Sequence, residues 1–185
     1  MKRGKTRWAS IILRTTSDEG NAMADSDASP ERAEPTGTPP GPDKMLSWVC
    51  TLWLLNAAAG AAVAIREDLP GELIAGVFTG RDVSTEFLKG PGTALSPGLA
   101  HIAAQAIFAV LSTRGGRAGR AGAAGLVVVG AGATAGALGE KITYRVLSPE
   151  AFDSAKAVIV SAGIILSTLM TALGARRLLV LRGRP

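Results

Sequence analysis

Four uncharged apolar stretches, separated by polar connections, fill most of the last three quarters of the 185-residue chain. Residues 45–65 (MLSWVCTLWLLNAAAGAAVAI), 121–139 (AGAAGLVVVGAGATAGALG) and 157–175 (AVIVSAGIILSTLMTALGA) contain no charged side chain. At about 1.5 Å per helical residue, each is about as long as a bilayer's hydrocarbon core is thick. The shorter stretch 97–113 (PGLAHIAAQAIFAVLST) opens on Ser96 and Pro97, a pair that reads as helix N-cap and first helical position. Buried helices of a water-soluble protein normally carry a polar stripe, and these stretches have none. The pattern predicts an all-α, polytopic transmembrane helical bundle of four spans. The transmembrane domain covers 45–181, with an outer loop at 66–96, a tail at 1–44 and a basic end at 182–185.

One stretch invites a different reading. LVVVGAGATAG resembles a buried strand entering a glycine-rich dinucleotide loop, but Gly130, Gly132 and Gly136 are spaced G-x-G-x-x-x-G. Glu150 lies at the distance of a ribose-binding acid, yet another charge-free, helix-length run follows where alternating strands and amphipathic helices are needed. The glycines are therefore expected to serve helix packing.

Charge orients the bundle. The connection RGGRAGR carries Arg114, Arg117 and Arg120 without an acid, and the C-terminal end carries Arg176, Arg177, Arg182 and Arg184 without one. With four spans both lie on one side, and basic loops stay cytoplasmic. The loop 66–96 mixes Arg66, Arg81 and Lys89 with Glu67, Asp68, Glu72, Asp82 and Glu86, and the loop 140–156 is balanced, so both belong outside. The expected location is the cell membrane, multi-pass, with N- and C-termini cytoplasmic. The net charge of +5 comes without interleaved aromatics or a reader fold, so it anchors the chain to lipid and no nucleic acid is expected as a partner.

The segment from Asp18 to Asp43, with its PERAEPTGTPPGPD run, has little to bury and is expected to be disordered. The apolar run ASIIL near the start is too short for a secretory signal, and Met23 and Met45 are alternative starts. Ala62-Val63-Ala64 has the form of a signal-peptidase site. The full-length apolar stretch and long upstream tail favour an uncleaved anchor instead.

Small residues four apart let helices approach closely in lipid. Gly132 and Gly136, with Ala131, Ala135 and Gly139 on a neighbouring face, are packing candidates, as are Gly60 beside Ala57, Ala61 and Ala64, and Gly163 in register with Ser167 and Thr171. The candidate polar sites are Asn56, His101 and Gln105, the last two on one face of the second span. They read either as a proton-responsive or ligand-contacting site or as structural groups, with Gln105 bonding a neighbouring helix. One histidine and one cysteine, Cys50, supply neither a bis-histidine haem nor a cysteine-based metal cluster, so no cofactor or metal is expected.

In the outer loop, Leu69, Leu73, Ile74, Val77 and Phe78 share one helical face, and Phe87 and Leu88 follow, so short amphipathic helices are expected there. Tyr144 suits the interface, and Ser148 with Pro149 reads as the start of the last helix. No nucleophile sits beside a base. The sequence points to a non-enzymatic structural or protein-interaction component of a bacterial cytoplasmic membrane, associated with the bilayer and with a membrane-protein partner or its own copies. The alternative is a small transporter or channel subunit. Reporter fusions test the orientation: fusions at Gly116 and after Pro185 should be active only with a cytoplasmic reporter, and one at Gly80 only with an exported reporter. An exported C-terminus would refute it.

Overall fold

The computed structural model describes residues 41–183 except 75 and 77–79. The expectations for the tail through residue 40, and for Val77 and Phe78, fall outside the described residues. In chain order the elements are α1 (Lys44–Arg66), α2 (Val83–Lys89), β1 (Gly92–Thr93), β2 (Ser96–Pro97), α3 (Leu99–Ser112), α4 (Gly116–Gly139), α5 (Lys141–Leu147) and α6 (Ser154–Arg182). Three of them, α1, α4 and α6, are long and apolar enough to cross a membrane, while α3 is a shorter apolar helix. On length and composition the chain is a multi-pass membrane protein.

Each long helix starts and stops for a local reason. Asp43 caps α1 by accepting the Leu46 N–H at 3.2 Å, and the helix ends at the charged run Arg66-Glu67-Asp68, where Asp68 turns the chain at φ 51°. A tight turn at Thr113–Gly115 joins α3 to α4, and Gly116 enters α4 at φ 61°, a left-handed conformation that glycine adopts without a Cβ clash. At α6 the cap is Asp153, whose carboxylate accepts the Ala155 and Lys156 N–H groups, each at 3.1 Å. This corrects the expected start at Ser148 and Pro149. Those residues lie in the connection before the cap, and Asp153 Oδ1 satisfies two N–H groups of the first turn.

The four apolar helices close into a ring in which α4 packs along both α3 and α6, and α1 packs along α6 and more lightly along α3. Their shared core joins Leu46, Val49, Cys50, Trp53 and Ala57 of α1 to Leu126 and Val129 of α4 and to Met170 and Leu173 of α6, with Ile102 and Phe108 of α3 packed against it. The outward surface is also apolar: Trp48 is 68% exposed, Val128 72% and Val158 67%. So much exposed apolar surface would be an aggregation hazard in water and is the expected finish for a surface facing lipid.

The second predicted span differs most from its expectation. Ser96 and Pro97 do not open a helix; they form β2, paired antiparallel with β1, and α3 starts at Leu99 after an N-cap, Gly98, that has no capping side chain. The physical cause is Thr93. Its Oγ1 accepts the Ser96 N–H at 3.1 Å and donates to the Ser96 carbonyl at 3.3 Å, so the residue that could have capped a helix is held in a hairpin. The hairpin is buried: Leu95, between the two strands, sets its backbone carbonyl against Gly60 of α1, and a Cβ on Gly60 would collide with it. Gly60 lies six residues, about 9 Å, inside the end of α1, so irregular backbone reaches membrane depth wrapped in protein.

The outer connections are also less helical than expected. Among the described residues of the loop 66–96 only Val83–Lys89 forms a helix, with Asp82 as its cap. Residues 72–74 instead pair with the end of α4: Ile74 N–H donates to the Gly139 carbonyl at 2.8 Å and Lys141 N–H to the Glu72 carbonyl at 3.0 Å. Extended pairing satisfies the backbone of this segment, so it needs no amphipathic helix.

At the α4–α6 contact the backbones meet at Gly130. A methyl group there would lie 2.5 Å from Thr171 Oγ1 and 2.9 Å from the Ser167 carbonyl oxygen, whereas nothing lies within 4 Å of one on Gly136. Gly130→Ala should therefore destabilise the bundle by about 1 to 3 kcal/mol. Gly136→Ala should stay within about 0.5 kcal/mol of the parent. Thermal unfolding in detergent checks both, and equal losses would refute this assignment of the contact.

Candidate functional site

Because α3 is only 14 residues long, about 21 Å, the ring is incomplete above His101. The β1–β2 hairpin fills part of the gap, and a cavity of about 290 Å³ remains at that end of the bundle. Its walls come from α1 (Trp53, Asn56, Ala57), the hairpin (Pro91 to Pro97), the α4 face (Gly132, Ala133, Gly136, Ala137), Glu140 and Thr143, and α6 (Ile159, Val160, Gly163). From Gly132 to Glu140 is eight helical residues, so this wall is about 12 Å tall.

The sequence candidates divide around this cavity. Gly132 and Gly136 line it and are exposed; a Cβ on Gly132 would meet only His101 Cε1, at 3.7 Å. No neighbouring helix presses on either glycine, so within one chain the close approaches fall at other small residues: Gly130 against α6, Gly60 against the hairpin and Gly122 against Leu111 and Ser112 of α3. At Gly139, a Cβ would lie 3.3 Å from Leu73 Cδ2. Gly163 faces Asn56, leaving room for its amide: Asn56 Nδ2 donates to the Ile159 carbonyl at 3.1 Å.

His101 and Gln105 share a face of α3 but not an environment. His101 Nε2 lies 3.1 Å from the Val129 carbonyl oxygen, which can only accept, so this contact requires the proton on Nε2. The imidazole also tilts against Trp53, with ring centroids 6.0 Å apart. One turn deeper, Gln105 is fully buried. Its Nε2 donates to the Cys50 carbonyl at 3.3 Å and contacts Met170 Sδ at 3.6 Å, which ties α3 to α1 and α6. Gln105 Oε1 has no hydrogen-bond partner.

Glu140 and Thr143 escaped the sequence reading. Thr143 Oγ1 donates to the Ala137 carbonyl, and Glu140 Oε2 accepts the Glu72 N–H at 2.8 Å. The available signal was position: Glu140 is the first charge after the charge-free run 121–139. Burial pushes its carboxyl above the ordinary carboxylate range, the Glu72 N–H pulls it back, and the Glu72 charge pushes it up again. Nearby at the same end, Lys156 bridges Asp153 and Glu67, at 2.8 Å to Glu67 Oε2; those bonds hold both acids below their usual range and Lys156 above its own.

Asn56, His101 and Thr143, and Glu140 through Oε2, each engage a backbone partner. The polar side chains of the cavity thus staple the helices and residue 72 of the outer loop together, and the remaining wall is largely apolar. Among the described residues no group of three His, Cys, Asp or Glu side chains could hold a metal ion. No family model, curated protein or solved structure matches the chain.

Glu140 generates a pH prediction with a definite sign. A carboxyl raised on folding contributes stability that is complete below its unfolded value and is lost as pH rises through the folded one. The melting temperature in detergent should fall as pH rises above the ordinary carboxylate range, and Glu140→Gln should flatten that fall. Glu72, paired to Lys141 at 3.4 Å, and Arg145 are the other charged groups around it. His101→Ala should leave the slope in place; a slope abolished by His101→Ala and kept by Glu140→Gln would assign the titration to the histidine.

Proposed function

We propose that this protein is a non-enzymatic component of a bacterial cytoplasmic membrane, with both termini cytoplasmic, that works by associating with another membrane protein or its own copies. The observation that carries this reading is the outward side of α4. Ala131, Gly132, Ala135 and Gly136 are all exposed, and the space beside Gly136 is open. Helices in lipid gain little from hydrophobicity and associate where small residues let backbones come close. A row of small residues facing outward beside an apolar cavity suits a partner helix whose larger side chain enters the gap above α3. The orientation is supported by arginines gathered at one end and by Glu67, Glu72, Glu86 and Glu140 at the other.

A second reading, a small transporter or channel subunit, is favoured by the β1–β2 hairpin. Irregular backbone at membrane depth lining a cavity is a feature of substrate sites between helices. Against it, the polar groups of this cavity are largely occupied by the protein's own backbone.

The two readings separate in one experiment. Extracted in mild detergent, the protein should run larger than a single chain with its micelle, and Ala135→Leu with Gly136→Leu should return it to that size, while Val158→Leu, a larger residue on the exposed side of α6, should not. A single-chain mass for the unaltered protein would refute association. Solute uptake into vesicles that is lost in the hairpin variant Thr93→Val would support transport instead.

A further inference from the structure

The end of the bundle opposite the cavity gathers charge of one sign. Arg120 of α4 donates from Nε to the Leu181 carbonyl at 3.0 Å, which locks the first turns of α4 to the last turn of α6. Arg117, three residues before Arg120, lies on the same side of α4, and Arg182 directly follows Leu181. Arg177 joins the end together from within: it is buried and donates to the Gly41 carbonyl at 3.0 Å and to the Arg114 carbonyl at 3.5 Å. Arg114, Arg117, Arg120, Arg176 and Arg182 are exposed, and among the described residues none forms an ion pair with an acid. Asp43 is the acid described at this end, and its carboxylate caps α1.

Depth is fixed independently. The charge-free run 157–175 of α6 is about 28 Å long and the whole helix about 43 Å, so Arg176 to Arg182 pass beyond the hydrocarbon into the headgroup layer. Trp48, exposed one turn into α1 at the same end, has the amphipathic ring that settles at that level, and Leu179 and Val180 are exposed beside the arginines. Guanidinium groups in this layer, next to apolar surface and without acids, match a phosphate attached to acyl chains: guanidiniums take the phosphate oxygens and the apolar side chains take the upper methylenes.

We propose that the α4–α6 contact at this end, through Arg117, Arg120 and Arg182, is a seat for the phosphate headgroup of an anionic phospholipid. It accounts for a density of arginine beyond what orientation alone needs, and it does not depend on how α4 associates with partners.

Arg117 and Arg182 can be changed without removing a hydrogen bond described within the bundle, so they are the test positions. The purified full chain is titrated in a neutral detergent with phosphatidylglycerol, with phosphatidylcholine and with inorganic phosphate, and its melting temperature is followed. The expected result is stabilisation by phosphatidylglycerol alone, with Arg117→Gln and Arg182→Gln each weakening the apparent affinity about fivefold. Arg145→Gln, at the opposite end, should leave it unchanged. Equal stabilisation by phosphatidylcholine, equal stabilisation by inorganic phosphate, or an undiminished response in both arginine variants would overturn the proposal.

Discussion

Everything distinctive in this molecule traces to the requirement that backbone N–H and C=O groups inside a bilayer find partners within the protein. A full-length helix meets the requirement by itself, and α1, α4 and α6 do so. The short α3 cannot, because the chain leading into it, Gly92 to Gly98, lies alongside α1 instead of in water. Thr93 supplies the missing partners for Ser96, the Gly98 N–H finds the Pro91 carbonyl at 2.9 Å, and Gly60 provides the space the hairpin needs. The cavity is what remains once these bonds are made.

The same economy explains the polar residues of the interior. In lipid an unpaired amide or hydroxyl is expensive, and several of those described here join one element to another. Thr134 links α4 to Ser167 of α6 at 2.7 Å, Asn56 links α1 to α6, and Gln105 links α3 to α1. These bonds are directional where apolar packing is not, so they fix the rotation of each helix and decide which small residues end up buried at Gly130 and which face outward at Gly136.

The long spans were legible in sequence because a bilayer imposes one coarse rule, absence of charge over sufficient length, and residues 45–65, 121–139 and 157–175 obey it without exception. The start of α3 was misread because Ser96 and Pro97 carry helix-start chemistry locally, while the competing bond comes from Thr93 and the space from Gly60, far away in the chain. Segment 72–74 was misread similarly: its apolar residues suit a helical face, but its partners lie 68 residues on, at the α4–α5 junction. Glycine spacing located faces rich in small residues without telling which helix, if any, lies against them. The arginines of one end were visible individually, but the bond from Arg120 to the Leu181 carbonyl, which brings the start of α4 to the end of α6, was not.

The tight turn between α3 and α4 bears on how the protein is made. A 14-residue apolar segment is too short to be recognised and released into lipid as a span by itself. The turn at Thr113–Gly115 places α3 against α4 as soon as both have formed, with Gly122 pressed on Leu111 and Ser112. The apolar face of α3 is thus covered by a neighbour only once α4 is in place, which makes the two helices one interdependent hairpin.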